Sequence, residues 1–78
     1  MFSSQKLTVR VTKADSAYFY FILEAQEGMT AYSTLPHREG EQHRDIELTF
    51  TADFRQEVDE LLGRVSREIP LTVVEKSP

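Results

Sequence analysis

Strict alternation of apolar and polar residues marks two segments of the chain as half-buried β-strands. In residues 6–12, Leu7, Val9 and Val11 alternate with polar neighbours, and residues 46–51 repeat the same pattern. A period of two with β-branched residues is typical of a strand with one face on the core. Residues 29–35, rich in Thr, Tyr and Ser, and residues 71–76, a β-rich segment, predict two further strands.

A helix is predicted between the first two strands, over residues 13–27. Thr12 followed by Asp15 is a capping sequence, in which the Thr hydroxyl accepts from a first-turn N–H and the carboxylate reaches back to the cap N–H. Residues 16–27 contain no Gly or Pro, and Gly28 stands where a left-handed residue ends a helix.

The second predicted helix covers residues 54–69 and has the clearest pattern in the chain. Asp53 and Gln56 form its predicted cap, and Pro70 is expected to stop it. Its apolar residues recur at helical spacing and predict one core-facing stripe, made of Phe54, Val58, Leu61, Leu62, Val65 and Ile69.

The order strand, helix, strand, strand, helix, strand predicts one α+β domain over residues 1–78. Two split β-α-β units with right-handed crossovers give a ferredoxin-like βαββαβ fold. We therefore expect a four-stranded antiparallel sheet with both helices on one face and the first and third strands in the centre.

The first helix has more apolar residues than one core-facing side can hold. Residues 18–23 are six aromatic or aliphatic residues in a row. We expect Phe19, Ile22 and Leu23 to face inward, which leaves Phe21, and partly Tyr18, at the edge of the sheet or on a partner. Three interpretations stay open: packing against the second helix and the rim, a homodimer interface, or a ligand groove. A contiguous exposed aromatic patch is typical of association, and the candidate interface residues are Tyr18, Tyr20 and Phe21.

The polar segment 36–45 predicts a long exposed hairpin loop. It contains His37 and His43 among carboxylates, a combination that can bind zinc. All these residues lie in one loop, and the chain has no Cys. We therefore expect no metal and no cofactor.

Charge and composition argue against nucleic acid and membrane partners. The formal net charge of the 78 residues is −4, and all the excess acid lies in residues 40–78, unlike the basic footprint of a nucleic-acid binder. The longest apolar run, 17–23, is far short of a membrane span. The N-terminus lacks signal-peptide features, so a cytoplasmic location is expected.

The sheet face away from the helices should be polar, without the stacking aromatics of RNA-binding domains. The residues expected there are Thr8, Arg10, Thr12, Glu47, Thr49, Thr51 and either Tyr32 or Thr30.

No catalytic motif is present in recognisable form. The chain lacks a G-x-S-x-G sequence and the glycine-rich phosphate loops. Glu24, near the end of the first helix, is a candidate acid without a second catalytic group, so a surface or capping role is the simpler interpretation. We expect the protein not to be an enzyme.

The run from Ala17 to Glu24, followed by Glu27-Gly28, a Thr-containing strand and an acidic helix ending Glu68-Ile69-Pro70, resembles a family of short bacterial proteins classed as domain of unknown function 4911. The resemblance implies no activity and no catalytic residues. The topology is also similar to ACT-type regulatory domains, which bind small effectors at subunit interfaces, but the turn 12–15 lacks the glycine that such domains often use. The prediction is a self-associating interaction module, and the alternative is an ACT-like small-molecule-binding domain.

Overall fold

A computed structural model of the chain describes residues 4–26 and 30–77. Each helix is preceded by a single 3₁₀ turn, at Lys13–Asp15 and Ala52–Phe54. The elements follow the predicted order: β1 Ser4–Thr12, α1 Ser16–Ala25, β2 Ala31–Thr34, β3 His43–Thr51, α2 Arg55–Ser66 and β4 Leu71–Ser77.

The four strands form one antiparallel sheet in the order β2-β3-β1-β4. β1 and β3 occupy the centre, as predicted, and pair without interruption from Ser4 opposite Thr51 to Thr12 opposite His43. This strand order and the two helices confirm the ferredoxin-like α+β fold.

One hydrophobic core joins the inward-facing residues of the central strands to both helices. Because residues of α1 and α2 belong to the same buried cluster, the two helices cover the same face of the sheet, as expected. Phe19 and Leu23 of α1 are fully buried, and Ile22 packs against them from the margin. The remaining core residues are Leu7, Val9, Val11, Ile46, Leu48, Phe50, Val58, Leu61, Leu62, Val65 and Ile69.

The prediction of an exposed loop over 36–45 is wrong at its C-terminal end, because β3 begins at His43. Arg44 and Asp45 pair with Val11 and Arg10 of β1. One face of this sheet is open to water, so a central strand such as β3 can include polar residues. Hydrogen bonds to the neighbouring strand hold these residues in place.

The predicted cap is confirmed in part, but it begins the 3₁₀ turn Lys13–Asp15, and α1 itself starts at Ser16, three residues later than predicted. The Thr12 hydroxyl accepts from the Asp15 N–H at 3.2 Å, but the Asp15 carboxylate accepts from the Thr12 hydroxyl, at 2.7 Å, and not from the backbone. The helix ends at Ala25, followed by Gln26 at its C-cap. The predicted end at Glu27 and the role of Gly28 lie outside the described residues.

The predicted start of α2 is wrong in two respects. Residues 52–54 form a 3₁₀ turn without a side-chain cap, and Gln56 donates to Glu60 at 3.3 Å instead of capping. Phe54 belongs to this turn rather than to the helix, and its side chain is 38% exposed. The rest of the predicted stripe is buried. α2 itself ends at Ser66, before Pro70.

β2 presents a different face from the one predicted for Tyr32. Tyr32 lies opposite Leu48, on the side of the helices, whereas Ala31 and Ser33 lie opposite Thr49 and Glu47 on the open face. Alternation along β3 places Leu48 in the core, so its partner on β2 must share that side.

Candidate interaction surface

The outward side of α1 is an exposed apolar face. Phe21 is 70% exposed, and Ala17 and Ala25, four residues before and after it, are exposed as well. Phe19 and Leu23 fix the rotation of the helix by entering the core, and Phe21 lies about 200° around the axis from Phe19. We call Ala17, Phe21 and Ala25, together with Ala14 of the 3₁₀ turn ahead of the helix, the outer face of α1.

The outer face carries no charged side chain. Within α1 the single charged residue is Glu24, at the margin of this face. By comparison α2, of similar length, contains five charged residues: Arg55, Glu57, Asp59, Glu60 and Arg64. The two helices therefore present very different surfaces to solvent.

Tyr18 lies on the side of α1 that borders α2. Its hydroxyl donates to the Glu68 carboxylate, and this hydrogen bond raises the pKa of Tyr18. The ring is 41% exposed. Beside it runs a groove of about 210 Å³ between the helices, lined by Tyr18, Ile22, Gln26, Leu61, Arg64, Val65 and Glu68.

Tyr20 lies on the opposite side of α1, toward β2. Its ring stacks on Tyr32 with centroids 5.3 Å apart, and its hydroxyl shares a hydrogen bond with Thr34. The Tyr32 hydroxyl donates to Glu24 at 2.7 Å, which raises the pKa of Tyr32. The structure thus does not bring the three candidate interface residues together: Phe21 is on the outer face, with Tyr18 and Tyr20 on its two flanks.

Ala17 is part of this face although the sequence interpretation did not include it. Its position four residues before Phe21 is the signal that identifies it, since residues four apart share a side of a helix.

The open face of the sheet is polar, and two ion pairs lie on it. Arg10 donates two hydrogen bonds to Asp45, at 2.8 and 3.1 Å, and Lys6 lies 3.9 Å from Glu47. The Arg10 contact lowers the pKa of Asp45. Between these pairs Thr8 is only 8% exposed. Among the side chains that the structure describes, this face therefore presents no patch of one sign.

His37 and His43 do not gather with the acidic residues around them into a group that could hold a metal ion. His43 lies 3.2 Å from Glu41, whose pKa is lowered because its carboxylate accepts from the Arg38 N–H. Asp45 forms an ion pair with Arg10. Among residues 4–26 and 30–77 no group of three or more His, Cys, Asp or Glu could hold a metal ion. The absence of a metal cofactor stays a prediction.

A second concave feature lies at the end of the sheet nearest the start of β1. It is an open cleft of about 330 Å³ whose lining combines two phenyl rings with hydroxyl groups: Ser4, Thr30, Ala31, Thr49, Phe50, Thr51 and Phe54. Thr30 donates to the carbonyls of Ala31 and Thr49, both at 3.1 Å. Sequence reasoning missed this cleft because its lining comes from three separate segments that only the fold brings together.

A family model described as Domain of unknown function (DUF4911) matches residues 9–69. The match extends from the middle of β1 to the residue that closes the core after α2, and it includes the whole outer face of α1. No curated protein matches the chain.

Neither helix in the described part of the chain has the length and apolarity needed to traverse a membrane.

Proposed function

The chain belongs to the domain of unknown function 4911 family, and from that premise we propose that it is a non-enzymatic interaction module that associates with a second copy of itself. The contact is the outer face of α1. The observation that carries this proposal is the exposure of Phe21, 70% of whose surface is open to water, in the middle of an uncharged helix face.

Burial of Phe21 against a partner supplies the driving force. Removing a large apolar side chain from water contributes about 1.5–3 kcal/mol. Ala17 and Ala25 extend the apolar strip by one turn on each side and add no bulk that would keep a partner away. Exposed apolar patches of this kind are typical of association sites.

The charge distribution favours a second copy as the partner. In a two-fold interface the same patch meets itself, so any net charge on it repels its own copy. A protein with a net charge of −4 therefore associates best through a neutral surface, and the outer face of α1 is neutral. The side of α2 is less suitable, since acidic residues predominate in that helix.

The edges of the sheet are poorer contacts. β2 is only four residues long, and the pairing of β4 with β1 shifts register between Thr8 and Val9. Short edge strands and bulges both discourage the addition of another strand. These features direct the proposed association to α1.

The non-enzymatic part of the proposal is supported by the titratable groups. A catalytic acid or base works best with a pKa near the operating pH. The lowered pKa values of Glu41 and Asp45 and the raised pKa values of Tyr18 and Tyr32 all move away from neutrality. The proposal includes a cytoplasmic location, which a chain without Cys suits.

Light scattering during gel filtration, run over a series of protein concentrations, tests the proposal. We expect the parent protein to move from monomer to dimer as concentration rises, and Phe21→Ser to stay monomeric with unchanged secondary structure. Phe54→Ser is the matched control, since it makes the same chemical change at an exposed ring outside α1, and it should dimerise like the parent. A parent that is monomeric up to about 1 mM, or a Phe21→Ser variant that still dimerises, contradicts the proposal.

The cleft lined by Phe50 and Phe54 favours a second candidate function, binding of a small neutral or amphipathic molecule in the manner of an ACT-like domain. Its volume of about 330 Å³ lies at the lower end for ligand pockets. A thermal-shift panel of amino acids and nucleotides tests it, because ligand at 100 times its dissociation constant adds about 2.7 kcal/mol. Ala31→Trp, which fills the cleft, should abolish any shift, and no shift across the panel would remove this candidate.

A further inference from the structure

We infer that the two copies pack α1 against α1 in antiparallel orientation, about a two-fold axis that crosses the helix close to Phe19. This inference rests on the proposed self-association and specifies its geometry. Three separate pairings of exposed residues place the axis at the same point.

The first pairing joins the largest side chain of the outer face to a small one. With the axis near position 19, Phe21 of one copy lies opposite Ala17 of the other. An aromatic ring needs a shallow space in the opposing helix, and alanine provides it because its side chain is a single methyl group. The second pairing, Ala14 with Ala25, places two small residues together at each end and lets the helices approach closely.

The third pairing is electrostatic. Lys13 and Glu24 are both exposed. Lys13 lies in the 3₁₀ turn ahead of α1 and Glu24 lies near the end of α1, and the eleven positions from one to the other span about 17 Å along the axis. An antiparallel arrangement centred between them brings Lys13 of each copy beside Glu24 of the other. A parallel arrangement would place like charges together, which is unfavourable.

Both charged residues are held in position by the rest of the fold. The Lys13 N–H donates to the Gln42 carbonyl at 2.7 Å, which fixes the start of the helix. The Glu24 carboxylate accepts from the Tyr32 hydroxyl at 2.7 Å, which holds it at the margin of the outer face. The Tyr32 contact leaves carboxylate lone pairs free to accept from the partner's lysine.

The contact is small, so the dimer should be reversible. A strip three turns long and one helix wide covers on the order of 160–200 Å², well below the roughly 800 Å² per partner of a stable complex. We therefore expect dissociation on dilution within the range that gel filtration can follow.

Disulfide cross-linking distinguishes the two helix orientations, and the chain contains no Cys to interfere. Ala14→Cys and Ala25→Cys are made separately, one carrying a tag that changes its mass. Under the antiparallel arrangement a mixture of the two forms a cross-linked heterodimer under mild oxidation. Neither variant cross-links with itself, because like positions lie about 16 Å apart along the axis, beyond the reach of a disulfide. Ser66→Cys, exposed on α2, measures random collision.

Charge exchange provides a second test. Lys13→Glu and Glu24→Lys should each weaken dimerisation roughly three- to tenfold, and the double variant should recover most of the loss. If Lys13 and Glu24 each acted only by supporting the fold of their own copy, the double variant would not recover dimerisation.

The outcomes separate this inference from the proposal beneath it. If the parent dimerises but each Cys variant cross-links with itself, the helices are parallel and the inference is overturned while self-association stands. If the parent dimerises and only collision-level cross-linking occurs in the mixture, the contact lies elsewhere and both the face and its geometry are wrong. A monomeric parent overturns the proposed function itself.

Discussion

Phe19 and Phe21 stand two positions apart on α1, yet Phe19 is completely buried and Phe21 is 70% exposed. The same amino acid therefore has two roles in one helix. Phe19 packs in the core between the helices and the sheet, and Phe21 lies on the opposite side, where none of residues 4–26 and 30–77 covers it.

This difference predicts opposite effects on stability. Phe19→Ala should lower the free energy of unfolding by about 3–5 kcal/mol, because it leaves a cavity in the core. Phe21→Ala should change the free energy of unfolding by no more than about 0.5 kcal/mol when the protein is dilute enough to be monomeric. Urea denaturation followed by circular dichroism measures both.

A Phe19→Ala variant that is unfolded from the start still supports the assignment, provided that the milder Phe19→Leu variant folds with reduced stability. Equal losses at the two positions would contradict the assignment of Phe21 to the surface.

Gly63 lies inside α2, where a glycine has no structural requirement. A β-carbon built at this position meets no atom within 4 Å apart from the adjoining residues and backbone of its own helix, so Gly63→Ala introduces no clash. The substitution should raise the free energy of unfolding by about 0.5–1 kcal/mol, because alanine loses less backbone entropy in a helix. The melting temperature should rise by roughly 2–8 °C.

Gly40 is the matched control, since its surroundings are equally open but its φ is +90°. Only glycine adopts this conformation at low cost, so Gly40→Ala should lower stability by about 1–2 kcal/mol. If Gly63→Ala and Gly40→Ala shift the melting temperature in the same direction, the difference in backbone conformation between the two positions does not explain the stability changes.

The pair Arg10–Asp45 predicts a pH dependence of stability. The hydrogen bonds from Arg10 lower the pKa of Asp45 in the folded protein. A carboxyl whose pKa is lower in the folded than in the unfolded state stabilises the fold above its unfolded pKa, and that stability is lost as pH falls through the folded pKa. Asp45→Asn should therefore be less stable than the parent at neutral pH.

The difference between Asp45→Asn and the parent should shrink as the pH falls below about 4, where free aspartate begins to protonate. Urea titrations at neutral and acidic pH measure it. If the variant and the parent differ in unfolding free energy by the same amount at neutral and acidic pH, the loss of stability in Asp45→Asn comes from geometry and not from the charge of Asp45.

The stacked rings of Tyr20 and Tyr32 should stabilise the junction between α1 and β2. Tyr32→Phe keeps the ring and removes the hydrogen bond to Glu24, whereas Tyr32→Leu removes both. We expect Tyr32→Leu to melt about 5 °C below Tyr32→Phe, because a stacked aromatic pair contributes beyond its buried area. If the two variants melt together, the stack makes no separate contribution.

The strands β1 and β3 and the buried stripe of α2 were predictable because each pattern is local. Alternation at Leu7, Val9 and Val11 requires a strand with one buried face, whatever lies above it. The same reasoning was incomplete for α1, since six consecutive apolar residues fit more than one rotation of a helix. It failed at Phe54, where a 3₁₀ turn ahead of α2 shifts the residue out of the stripe.

Hydrophobic periodicity along the chain was thus enough to determine the order of elements, the fold class and most of the core, because burial imposes a period of two on strands and 3.6 on helices. Tertiary packing decided between the rotations of α1 that the sequence left open, which side of β2 carries Tyr32, and that none of the residues described by the structure covers Phe21. Those outcomes depend on how residues that are distant in sequence pack together on one face of the sheet. A local sequence pattern does not contain that information.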